Sequence, residues 1–285
     1  MKKSIVLLGI IFAFTFFSCK KVEDTNTEKT AVIVKKAPVR KEPKSVSYTL
    51  ESTKKWLQKN ESPSNLEIVI AINRTDNENF AKIDSIIIPK DMTGDLAFYL
   101  PFPLQVSYLE NIDKIIFFSY PSQTFAAYEN GVLTYTGPTN MGKAKAKTPT
   151  GLFFTNWKAE ETISTVDDEW KLLWNFNIEN KEGIGFHQYS LPGYPASHSC
   201  LRLQEKDAKY LYEWADQWVL ADEENVKFKG TPVVVFGSYN FDAPKPWLQL
   251  IKDPKALTIS ENEIENITKP FIATILTEQG KRTKS

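Results

Sequence analysis

Between Asp113 and Gly237 the chain is written in short apolar runs separated by turn residues: KIIFFSY, QTFAAYENGVLTYTG, TGLFFTN, KLLWNFNI, GIGFHQY and TPVVVFG. Runs of this length, rich in β-branched and aromatic residues, read as strands. Asn130-Gly131 lies between two alternating runs and reads as a tight hairpin, because both residues tolerate the positive φ of a type I′ turn. A single helix interrupts the strands. Ala208, Leu211, Tyr212, Ala215, Trp218 and Val219 recur at helical spacing from Asp207 onward, which gives one face to pack on a sheet. The spacing predicts a mainly β domain with one packed helix over residues 113–238.

The flanks have a different texture. Residues 46–112 predict a small α+β subdomain: a strand at YTL, a helix around Lys54 to Lys59, a second apolar helical stretch, and a closing strand, Ser85 to Ile88. Residues 19–45 are rich in Lys, Glu, Thr and Pro and lack aromatics, so they read as a flexible tether. Residues 239–285, with Pro244, Pro246, Trp247 and a polar finish, read only as a C-terminal extension. The YTL opening, AINR centre and IIIP ending of the small subdomain are similar to a diverged LysM module, a glycan-binding fold. A generic packing subdomain is the alternative.

At the start, two lysines precede an apolar run from Ile5 to Phe17 and then Ser18-Cys19. That run falls short of the roughly 20 residues a membrane-spanning helix needs, and with its basic start and small residue at the cut it reads as a signal peptide over 1–18. Cys19 directly after it resembles the lipobox cysteine of bacterial lipoproteins. The resemblance implies that Cys19 is acylated, and that the chain sits in the cell envelope, held to a membrane through its lipid and facing the periplasm. Thirty-five basic and thirty-five acidic residues cancel, which argues against a nucleic-acid-binding surface.

With Cys19 lipidated, Cys200 is the one thiol left, and an unpaired thiol in an exported chain reads as a reactive group. Both histidines of the chain, His187 and His198, lie within thirteen residues of it. A free thiol is mostly protonated at neutral pH, and a nearby imidazole can take its proton to make an attacking thiolate. A small buried apolar role is the usual fate of free cysteine. The polar neighbours His198, Ser199 and Arg202 speak against that role, although Leu201 and Leu203 fit a strand edge.

The stretch GFHQYSLPGYPASHSCLRL resembles the active-site signature of the L,D-transpeptidase (YkuD-like) family: a histidine, a short loop, then Ser-His-Gly-Cys, an apolar residue and Arg or Asn. The upstream hairpin, the Thr-Pro-Thr-Gly of 148–151 and the closing GTPVVVFG follow the same family order. The resemblance implies an L,D-transpeptidase-like β-sandwich with Cys200 as nucleophile and His187 as general base, its ring oriented by a backbone carbonyl. His198, Ser197, Ser199 and Arg202 take supporting places, Arg202 either holding a substrate carboxylate or bracing the loop. Thr148 to Gly151 form a turn at the cleft. Ser199 departs from the pattern, which has glycine there, and would strain the turn if that glycine's freedom of φ matters.

The implied reaction is acyl transfer on peptidoglycan stem tetrapeptides through a cysteine thioester. An acceptor stem gives 3-3 cross-links, water gives L,D-carboxypeptidase activity, and a protein amine gives attachment to the wall. Donor and acceptor stem peptides are the partners, and neither a metal nor an organic cofactor is called for. A catalytically idle peptidoglycan-binding lipoprotein and a cysteine peptidase acting on proteins are the competing readings.

Overall fold

The computed structural model describes residues 38–59, 62–164 and 171–283. The expected signal peptide, Cys19 and most of the expected tether lie outside the described residues. The N-terminal layer consists of β1 (Tyr48–Ser52), α1 (Thr53–Lys59), α2 (Pro63–Ile72), α3 (Asn77–Phe80) and β2 (Ser85–Pro89). The strand, helix, helix, strand order expected from sequence is present, with α3 added, and β1 pairs antiparallel with β2. Trp56, Val69, Ile70, Phe80, Ile86 and Ile88 form one small core of this layer.

The central domain supplies β3 (Ile115–Ser119), β4 (Thr124–Glu129), β5 (Val132–Pro138), β6 (Gly151–Phe154), β7 (Lys158–Ile163), β8 (Lys171–Glu179), β9 (Ile184–Gln188), β10 (Leu201–Leu203), α4 (Glu205–Trp214), β11 (Val219–Leu220), β12 (Val226–Phe228) and β13 (Pro232–Phe236). Two larger sheets result, in the orders β5-β4-β3-β13-β6 and β10-β9-β8-β7. Parallel pairing joins β3 to β13 and β9 to β10; the other pairs in these sheets are antiparallel. The core between the sheets holds Ile116, Phe118, Phe125, Val233 and Val235 from the first, Phe176, Phe186, Leu201 and Leu203 from the second, and Ala208 and Leu211 from α4. The domain is thus the expected β-sandwich with one packed helix.

Asn130 (φ 46°) and Gly131 (φ 77°) form the expected hairpin turn. Gly131 is required twice over, since a Cβ there would also meet the Val106 carbonyl at 2.4 Å. Helix α4 ends earlier than its periodicity suggests. The chain turns at Ala215, because the Asp216 carbonyl accepts from Thr155 Oγ1 and Thr231 N, and Trp218 N donates to Asn156 O. Val219 consequently lies in β11, exposed.

The C-terminal extension is part of the fold. Helices α5 (Glu261–Thr268) and α6 (Ile272–Thr283) bring Ile264 and Ile275 against Phe117, Ala126, Tyr128 and Val234 on the far face of the five-stranded sheet. With both faces covered, every residue of β3 and β13 is buried, which explains their unbroken apolar sequences. Trp247 and Leu250 pack on Tyr48, Ile68 and Ile87 of the N-terminal layer. The end of the tether also differs from expectation. Lys41 and Asp95 exchange hydrogen bonds, Arg40 donates to Leu133 O, and Lys44 N donates to Asp91, so residues 40–44 are tied to the body. Gly94 admits Pro43 so closely that a Cβ would meet it at 2.4 Å.

Asp207, in the first turn of α4, is 1% exposed. Its Oδ1 accepts from Tyr135 Oη at 2.8 Å and lies 3.9 Å from Lys206 Nζ, while Oδ2 has no hydrogen-bond partner among the described residues. Burial pushes its pKa up to about 7, against the Lys206 charge and the Tyr135 bond; nearby Glu67 adds to the rise. The folded state therefore holds a proton that the unfolded chain has released. Stability attributable to this carboxyl falls as pH rises from about 4 to about 7. Asp207→Asn is expected to gain on the native chain by up to ~1.4 kcal/mol per pH unit across that window and to run parallel above it, as measured by urea unfolding.

Candidate active site

The site is set by the pairing of β9 with β10. Leu201 lies opposite Phe186 and Arg202 opposite His187. Successive strand residues face opposite sides. With Phe186, Leu201 and Leu203 in the sandwich core, His187, Cys200 and Arg202 are turned to the other face. There they line one pocket together with Ser164, Leu172, Tyr189, Ser197 and His198. Alternation over a few residues thus gathers the thiol, one imidazole and a guanidinium in a single cleft.

His187 is 3% exposed, and its Nδ1 lies 2.9 Å from the Gln188 carbonyl oxygen. A carbonyl only accepts, so Nδ1 carries the proton and Nε2 presents the lone pair. Burial lowers the His187 pKa to about 4; the bond to Gln188 opposes this and the Arg202 charge adds to it. At neutral pH the ring is an uncharged base. Burial also raises the Cys200 pKa, while the Gly185 backbone N–H and Arg202 act in the opposite direction. Burial thus favours a neutral thiol and a neutral imidazole, and Cys200 Sγ lies 3.9 Å from the Gly183 carbonyl oxygen, which can accept from it.

His198 is occupied differently. Its Nε2 lies 2.5 Å from Lys143 Nζ, an arrangement in which the ammonium donates and the ring accepts. Burial and the adjacent Lys143 and Arg202 charges lower its pKa. Arg202 stacks over the Tyr189 ring at 4.4 Å, and no carboxylate among the described residues pairs with it. Arg202 is one of the residues that line the pocket. Among the described residues no cluster of three or more His, Cys, Asp or Glu is placed to hold a metal ion.

The turn before Cys200 is braced by the segment after β5. Ser197 Oγ donates to the Cys200 carbonyl at 2.5 Å, Ser197 N to Met141 O, and Lys143 N to Ser197 O. Thr148 Oγ1 donates to the Ser199 carbonyl at 2.8 Å and accepts from Gly142 N at 2.9 Å, so the first threonine of Thr-Pro-Thr-Gly ties the Ser199–Cys200 turn to its neighbour. Asn140 pins the preceding loop, donating to Tyr194 O and accepting from Ala196 N. Sequence reasoning missed Asn140, whose signal was an amide in the small-residue run Gly137 to Gly142.

Ser199 has φ 81°, the conformation that favours glycine, at the position where the signature has one. Holding a non-glycine residue there costs about 1–3 kcal/mol, partly offset in any glycine variant by its greater unfolded-state entropy. Ser199→Gly is therefore expected to raise unfolding stability by about 1 kcal/mol in a denaturant titration.

The Cys200 thiol, just before β10, and the His187 imidazole, on β9, line one pocket of the β-sandwich. Residues 113–235 match the family model of YkuD, the L,D-transpeptidase catalytic domain. Among solved structures, an L,D-transpeptidase from Stackebrandtia nassauensis is 24% identical, with 45% of this chain and 57% of that chain covered and a TM-score of 0.36. One from Mycobacterium smegmatis is 20% identical, covering 44% and 59%, with a TM-score of 0.35. L,D-transpeptidase 3 from Mycobacterium tuberculosis, solved with a faropenem-derived adduct, is 19% identical, covering 44% and 61%, with a TM-score of 0.34. The chain thus spans less than two thirds of the length of these relatives. No curated protein sequence matches it significantly.

Proposed function

We propose that the chain is a lipid-anchored L,D-transpeptidase that acts on peptidoglycan stem tetrapeptides in the cell envelope, tethered through Cys19 and facing the periplasm. One observation carries the reading: Cys200 and His187 share one pocket, and the His187 Nδ1 proton is committed to Gln188, which leaves Nε2 as the base. Sγ of Cys200 attacks the carbonyl that joins the L-centre of the third residue to the fourth-position D-alanine, and its proton passes to His187. Backbone N–H groups of the Ser199–Cys200 turn stabilise the oxyanion. Collapse breaks the C–N bond, His187 returns the proton to the departing amine, and D-alanine leaves a thioester on Cys200.

An amine of a second stem then attacks the thioester, gives its proton to His187 and forms a 3-3 cross-link, and Sγ leaves and is reprotonated. Water in place of the amine yields the tripeptide. Arg202, which lines the pocket and has no carboxylate partner among the described residues, suits a substrate carboxylate. The test is to incubate the purified chain with disaccharide-tetrapeptides and follow the products by mass spectrometry. Release of D-alanine with dimers is the expected result, and tripeptides alone would make the enzyme a carboxypeptidase. Fragments bound but unchanged would overturn the enzymatic reading in favour of an idle wall-binder.

A further inference from the structure

The loop between the two halves of the site is gripped from outside the family-matched domain. It leaves β9 at Gln188, whose carbonyl orients the His187 ring. Three residues later Leu191, fully buried, donates its N–H to Asp76 Oδ2 at 2.5 Å and accepts from Thr75 Oγ1 at 3.0 Å. Asn79 Nδ2 donates to Ser190 Oγ at 2.7 Å, and Thr75 forms a β-bridge with Pro192. All three gripping residues belong to the N-terminal layer.

That corner is itself held by hydrogen bonds. Asp76 caps α3, its Oδ1 accepting from Asn79 N at 2.7 Å. Arg74, 1% exposed, donates to the carbonyls of Ala71 and Ile72 at the end of α2 and to Ser122 O beside β4. The layer is therefore bolted to the sandwich at Ser122 and holds the catalytic loop at Ser190 to Pro192. Displacing this loop would release Gln188 and uncover His187, which shares its pocket with Arg202, Cys200, His198 and Tyr189 among the described residues, Arg202 being the charge that acts on it.

We propose that Thr75 and Asp76 are positioning residues for His187, acting through Leu191, so that the N-terminal layer is part of the catalytic apparatus. This deepens the proposed function, but its primary readout needs no substrate. The chain has two histidines, so carbon-13 labelling of histidine in the intact protein gives two sets of ring signals, which a His187→Asn variant assigns. Asp76→Ser keeps a helix cap but is too short to reach Leu191, and Thr75→Val keeps the shape but lacks the hydroxyl donor. Asp76→Asn retains an acceptor and serves as the rescue.

The native His187 midpoint is expected near pH 4. In Asp76→Ser and Thr75→Val it is expected to move up by about one pH unit or more as burial is lost, and Asp76→Asn is expected to restore part of the shift. With tetrapeptide substrate, kcat in the first two variants is expected to fall about tenfold or more, with KM nearly unchanged. A lower melting temperature with an unmoved midpoint would overturn the proposal and leave these residues as stabilisers only. A shifted midpoint in a protein that turns over no stem peptide would uphold the positioning and refute the peptidoglycan reading. Turnover by the native chain, with both variants unmoved in midpoint, would do the reverse.

Discussion

Cys200→Ala is expected to abolish D-alanine release, with a loss on the order of 10⁴-fold or more, because a covalent mechanism has no route around its nucleophile. The fold is not the reason for the loss. Cys200 is only partly exposed to the pocket, and its chain neighbours Leu201 and Leu203, not its sulfur, fill the sandwich core. The variant should therefore unfold within about 1 kcal/mol of the native chain. Tetrapeptide binding should survive, since the other pocket groups, including Arg202 and Tyr189, are untouched.

His187→Gln is the second large effect, expected to lower kcat by about 10²–10⁴-fold, the usual contribution of a positioned general base. Because burial raises the Cys200 pKa, the resting thiol depends on this base and cannot rely on prior ionisation. The pH dependence follows from the sign of the shift. The proposed mechanism needs a neutral His187, so activity is expected to fall on this limb as pH drops through about 4, well below the ordinary histidine range. Its stability contribution has the same direction: present above the unfolded value of 6.5 and lost as pH falls toward about 4. Across that window it opposes Asp207, whose raised pKa makes stability fall as pH rises. The native chain consequently shows a flatter stability profile than either single variant.

The parts of the fold that were legible in sequence rest on local physics. Asn130-Gly131 needs only its own φ angles to make a hairpin, and the apolar run Ile115 to Phe118 needs only burial on both faces. The sharing of one pocket by His187 and Cys200 was legible because they lie thirteen residues apart, His187 on β9 and Cys200 just before its neighbour β10. β7 was missed because its edge position makes it polar, with Lys158, Glu160 and Glu161 where an inner strand would be apolar. Helix α4 was read too long because Trp218 and Val219 keep the helical period, while Asp216 is drawn to Thr155 and Thr231. The grip of Asp76 on Leu191 joins residues more than a hundred positions apart, and no spacing rule reaches across that distance.

The most direct test of the account is the intact mass of the chain after brief mixing with disaccharide-tetrapeptide, followed by digestion to locate any adduct. The prediction is a gain equal to the donor less D-alanine, on the peptide containing Cys200 and absent from Cys200→Ala. An unmodified native chain, or an adduct that persists in Cys200→Ala, would contradict the thioester mechanism.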